Sequence, residues 1–126
     1  MTARTAAAFA LFAAAVLAGC DERPQQVPMQ VAGGDPARGR LLIEGYGCGA
    51  CHEIPGIPGA GGTVGPPLVA FARQVYIGGV LPNLPDEMVA WLMAPPAVDP
   101  RTAMPDLGVT EPHARDIAAY LYEEAE

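Results

Sequence analysis

Nine of the fifteen residues from 53 to 67 are glycine or proline, and such a segment can extend neither a helix nor a strand. They are Pro55, Gly56, Pro58, Gly59, Gly61, Gly62, Gly65, Pro66 and Pro67. A second irregular stretch, 97–109, carries Pro100 and Pro105. Regular structure is thereby confined to the segments around these loops, and those segments read as helices. Asp35-Pro36 opens the first, with Asp as cap and Pro at a position that needs no donor, and it runs to about Tyr46. Residues 68–75 predict a short helix. Residues 83–94 predict a clear one, with Asn83 and Asp86 in cap-and-third-position spacing and Pro95-Pro96 as its stop. Thr110 caps the last helix, through about Glu124, with Ala114, Ile117 and Leu121 on one face. No segment alternates over a useful length, so the expected fold class is all-α. Loops this long in so small a domain usually wrap something.

The chain has 126 residues, 51% of them apolar, enough for one domain and a tail. Part of that apolar count belongs to the start. Arg4 and an almost unbroken apolar run from Ala6 to Ala18 have the pattern of a secretory signal peptide, residues 1–19. The run ends Leu17-Ala18-Gly19-Cys20, which resembles the bacterial lipobox. That resemblance implies a lipid thioether on Cys20, and Asp21 after it resembles an inner-membrane retention signal. The expected location is the periplasmic face of the inner (cytoplasmic) membrane. Residues 20–34 are then the lipidated cysteine and a polar tether, with a reach of roughly 20 Å if flexible and about 50 Å fully extended. Residues 35–126 form the domain.

Fourteen acids face seven bases, all arginine. Removing residues 1–19, which hold Arg4 and no acid, takes the net charge from −7 to −8. A nucleic-acid binder should carry a basic patch, and this composition gives almost nothing to build one from. Three cysteines cannot close a set of disulfides either.

Cys48-Gly49-Ala50-Cys51-His52 carries the chemistry. Two cysteines three apart lie on one side of a helical turn, and the adjacent histidine can reach a metal held against it. This is the attachment signature of haem c, one group held by thioethers at Cys48 and Cys51, with His52 as an iron ligand. A zinc ribbon would need a second ligand pair, and a redox dithiol a βαβ scaffold; the sequence offers neither. Met29, Met88, Met93, Met104 and His113 are the candidates for a second axial ligand. Met29 falls in the tether, Met88 and Met93 read as core filler on a helix, and His113 as a solvated side chain. Met104 stands in the prolyl loop Pro100-Arg101-Thr102-Ala103-Met104-Pro105, which a ligand role would explain.

With these residues in place, 35–126 resembles a class I, mitochondrial-type cytochrome c almost end to end. The resemblance implies three to five helices wrapped around one covalent haem, with iron held by His52 and Met104. Gly65-Pro66-Pro67-Leu68 is similar to the family's Gly-Pro-x-Leu, which implies that the Pro66 carbonyl accepts from His52. Trp91 then packs beside the methionine sulfur, Thr102 meets a propionate, and Arg73 and Tyr76 stand near the propionates. Gly39 and Ile43 face Tyr120 where the terminal helices cross. The family's docking lysines are missing, and the short Pro/Gly loop after His52 is more similar to bacterial cytochromes associated with terminal oxidases.

The expected activity is one-electron transfer in a respiratory chain, to a terminal oxidase or as part of one, with a quinol–cytochrome c reductase as a further redox partner. It is a carrier rather than an enzyme, though it could serve as a subunit of an oxidoreductase complex. The alternative is a haem peroxidase or a gas-binding sensor subunit. The former usually has a second haem motif, and the latter needs a vacant iron position.

Overall fold

The computed structural model describes residues 29–123 and Ala125. The segments expected to be a signal peptide, a lipidated Cys20 and a tether lie outside the described residues as far as residue 28, as do Glu124 and Glu126. The domain is mostly helical. Helix α1 is Pro36–Gly45, α2 Pro85–Met93, α3 Pro95–Val98 and α4 Glu111–Glu123. Two 3-10 turns, Cys48–Ala50 and Phe71–Arg73, and two strands, β1 Tyr76–Ile77 and β2 Leu81–Pro82, complete it. None of the described helices is long and apolar enough to cross a membrane.

The first helix starts as its sequence dictates. The Asp35 side chain accepts from the Arg38 N–H at 3.0 Å, with Pro36 at the first position. Helix α1 packs chiefly on α4, and α2 also packs on α4. Ile43, Ile117 and Leu121 are among the most deeply buried side chains, with Ala114 and Ala118 beside them. At the crossing, a Cβ on Gly39 would collide with the backbone of Asp116, so only glycine lets the helices approach this closely. Tyr120 is buried in α4, and its hydroxyl donates to the Pro55 carbonyl at 2.7 Å, tying the glycine-rich loop to the crossing.

Four local expectations need correction. Asn83 is no helix cap: α2 starts after Leu84, with Pro85 first and Asp86 and Glu87 at the positive end of the helix dipole, while Asn83 is buried. Pro95 and Pro96 stop α2 but also begin α3, where neither needs an N–H. Residues 68–75 yield only the turn Phe71–Arg73, since Ala70 sits in the left-handed region at φ +50° and interrupts any helix there. The fold is not purely α. Tyr76 pairs with Pro82 and Ile77 with Leu81 in an antiparallel ladder, too short to leave an alternation in the sequence.

The domain also begins earlier than Asp35. Val31 is buried, and Met29 packs against the core. The Ala32 carbonyl accepts from Arg115, and the Asp35 N–H donates to the Asp116 carboxylate at 2.8 Å. The last residues of the expected tether are therefore docked on α4.

Arg38 grips the buried Asp116 with two hydrogen bonds of 2.9 Å. That grip holds the Asp116 carboxyl below its ordinary value, against the opposing effect of burial, with the Asp35 N–H helping. A lowered folded-state pKa gives stability that is complete above the unfolded value of about 3.9 and is lost as pH falls through the folded one. Melting temperature measured from about pH 6 to about pH 2 should fall more steeply for the parent than for Asp116→Asn, with the curves converging in acid. Parallel curves would contradict this assignment.

Candidate cofactor site

The turn Cys48–Ala50 follows α1 directly, and the amides of Cys51 and His52 both close on the Cys48 carbonyl, at 3.2 and 3.0 Å. Cys48 and Cys51 are half-buried free thiols, and burial pushes the Cys48 thiol up from its ordinary value. The glycine-rich loop returns over this turn: Gly62 donates to the Gly49 carbonyl at 3.1 Å, Gly65 to that of Cys51 at 2.7 Å, and Leu68 to that of Glu53 at 2.8 Å. The loop is far from structureless, for Ile54 and Ile57 are buried within it.

This fold-back fixes His52. Its Nδ1 lies 2.7 Å from the Pro66 carbonyl oxygen, so Nδ1–H donates and the neutral ring keeps its lone pair on Nε2. Gly65 lies against the ring, where any Cβ would strike it. Two neighbouring residues thus act on one imidazole. Gly65 leaves room for the ring, and the Pro66 carbonyl sets its tautomer.

Cys48, Cys51 and His52 share a cavity of about 330 Å³ with Pro66, Tyr76, Trp91, Thr102 and Met104. That volume lies within the range of small-molecule and cofactor sites. Most of the remaining wall is apolar, including Ile43 and Leu121 from the crossing helices, and neither a carboxylate nor an arginine lines it. Trp91 is buried under Gly78, while Tyr76 is 60% exposed at the mouth. Thr102 accepts the Met104 N–H on its hydroxyl oxygen at 3.1 Å, which orders the 100–105 loop and leaves the hydroxyl proton to donate elsewhere.

The other candidates separate by position. Arg73 is exposed and does not line the cavity. Met93 is 37% exposed rather than core filler, and neither it nor Met29 reaches the cavity. Met88 does reach it, from α2, and is the one methionine besides Met104 to do so among the described residues. His113 is not simply solvated: its Nδ1 lies 2.8 Å from the Tyr46 hydroxyl, and the two rings meet edge to face.

Two contributors have no signal in the sequence. Asn83 and Tyr122 form a buried hydrogen-bonded pair behind the wall that carries Phe71 and Gln74. Burial drives the Tyr122 phenol far above its ordinary pKa, so it stays a donor.

The donor set fits a large apolar group with a metal at its centre: two thiols in the wall, an imidazole lone pair and a thioether on one cavity. It does not fit a zinc site, since among the described residues no three His, Cys, Asp or Glu side chains are placed to hold one metal ion together. A scan against protein-family models finds no match for this chain, and no curated protein matches it.

Proposed function

We propose that the chain is a class I cytochrome c, a one-electron carrier with haem held through Cys48 and Cys51 and ligated by His52 and Met104. The observation that carries this reading is that the unpaired ring nitrogen of His52, the Met104 thioether and both thiols belong to one apolar cavity. Haem bound there would supply a ferric/ferrous couple. His52, oriented by Pro66 and Gly65, offers Nε2 in a fixed direction, and Met104, ordered by Thr102, offers a soft sulfur. The mostly apolar wall would limit water around the group and favour its less charged, ferrous state, and hence a high potential.

With the Cys20 lipid anchor, the carrier works at the periplasmic face of the inner membrane. Its redox partners are of the terminal oxidase or quinol–cytochrome c reductase class. The net charge of −8 left once residues 1–19 and their Arg4 are removed disfavours acidic docking faces and suits basic or largely apolar ones. Ligation by both His52 and Met104 would leave no place on the iron for peroxide or gas, which sets this reading above the enzyme and the sensor. The test is a redox titration of the full chain produced with a haem-attachment system. A single reversible one-electron wave is expected, with a ferrous form that does not bind carbon monoxide. Ready carbon monoxide binding would favour the gas sensor.

A further inference from the structure

Part of the cavity wall has little regular structure to hold it in place. Phe71, Gln74, Tyr76 and Ile77 all line the cavity, yet their stretch has only a three-residue turn and a two-residue strand. Its carbonyls are gathered by Asn83. The Asn83 Nδ2 donates to the carbonyls of Phe71 at 2.8 Å and Gln74 at 2.9 Å, and its backbone N–H donates to Val75 at 3.0 Å. The remaining side-chain atom, Oδ1, accepts from the Tyr122 hydroxyl of α4 at 2.7 Å. The Tyr122 ring also packs on Phe71, with centroids 5.4 Å apart.

We infer that Asn83 is the positioning residue for this wall: it sets where Gln74 and Tyr76 stand at the cavity mouth, and Tyr122 orients it. The amide has a definite sense because its oxygen is taken by the phenol, so both N–H groups must face the carbonyls. Asn83 sits immediately after β2, opposite the residues that lead into β1. One side chain therefore closes the base of the 76–82 hairpin and joins it to α4. Buried donors and acceptors that lose their partners are costly, so deleting the Asn83 side chain takes a partner from the Phe71 and Gln74 carbonyls and the Tyr122 hydroxyl at once, whereas removing the Tyr122 hydroxyl leaves only the Asn83 Oδ1 without one. The consequence for potential rests on the haem reading; the placement of the wall concerns the polypeptide alone.

The test compares full-length parent, Asn83→Ala and Tyr122→Phe, each produced with a haem-attachment system. Asn83→Ala should keep its covalent haem and its Met104-ligated spectrum, while its potential falls because the loosened wall admits water. Amide hydrogen exchange across 74–82 should speed up at least about tenfold, as loss of buried hydrogen bonds implies, with exchange in 36–45 unchanged. Tyr122→Phe should move both readouts the same way by less. A variant Asn83→Ala that melts lower yet keeps the parent's potential and its exchange across 74–82 would make Asn83 a general stabiliser and overturn the inference. If Asn83→Ala does not accumulate, Tyr122→Phe decides, and parental values for both readouts overturn it. A parent without covalent haem would refute the haem reading instead, and exchange on the haem-free chains would then decide the role of Asn83.

Discussion

Met104→Ala is expected to open one axial position, leaving haem attached through Cys48 and Cys51 but converting a closed low-spin site into one that binds carbon monoxide. The potential should fall by a substantial part of the roughly 0.8 V that axial ligation commands. The thioether is a soft donor that stabilises ferrous iron, and alanine supplies nothing in its place. Because Met88 also reaches the cavity, Met88→Leu is the necessary control. A buried methionine replaced by leucine costs less than about 1.5 kcal/mol, so that variant should keep the parental spectrum and potential. The opposite pattern, with Met104→Ala silent and Met88→Leu altered, would transfer the ligand role to α2.

Gly39→Ala should produce the largest loss of stability of any single methyl group. The added carbon would overlap the Asp116 carbonyl, which is backbone within a helix and cannot rotate away. Helices α1 and α4 would have to separate, at a cost of about 3 kcal/mol, the upper end for an overpacked site. For a domain of this size each kcal/mol is worth about 4–8 °C, so melting should fall by roughly 12–24 °C. Separation would also disturb the Arg38–Asp116 pair and the docking of Asp35 on it. A melting temperature within about 3 °C of the parent, less than the shift expected for 1 kcal/mol, would show that the crossing is looser than described.

The helices are legible in proportion to how local their signals are. Asp35-Pro36 is a cap and a first-position proline within two residues, and α1 starts there. The apolar face of Ala114, Ile117 and Leu121 repeats at helical spacing and is buried. Asn83 misleads because its hydrogen bonds run to Phe71, Gln74 and Tyr122, none of which is near enough in sequence to compete with a cap reading. The ladder at Tyr76–Ile77 and Leu81–Pro82 is illegible because two residues cannot display a period of two. At the site, Cys48, Cys51 and His52 are recognisable as types at a spacing, but the steric role of Gly65 against His52 comes from a loop closure thirteen residues along the chain. The choice among methionines is narrowed by position rather than pattern, since only the fold separates Met93, turned outward, from Met88 on the same helix.

The most direct measurement of the central claim is the mass of one tryptic peptide. Cleavage after Arg40 and Arg73 releases Leu41–Arg73, which contains Cys48, Cys51 and His52 and no other cysteine. From the full chain made with a haem-attachment system, this peptide should carry one haem through denaturation and acid extraction, with neither cysteine open to alkylation. Recovery of the same peptide without haem, and with both thiols alkylated, would contradict the account.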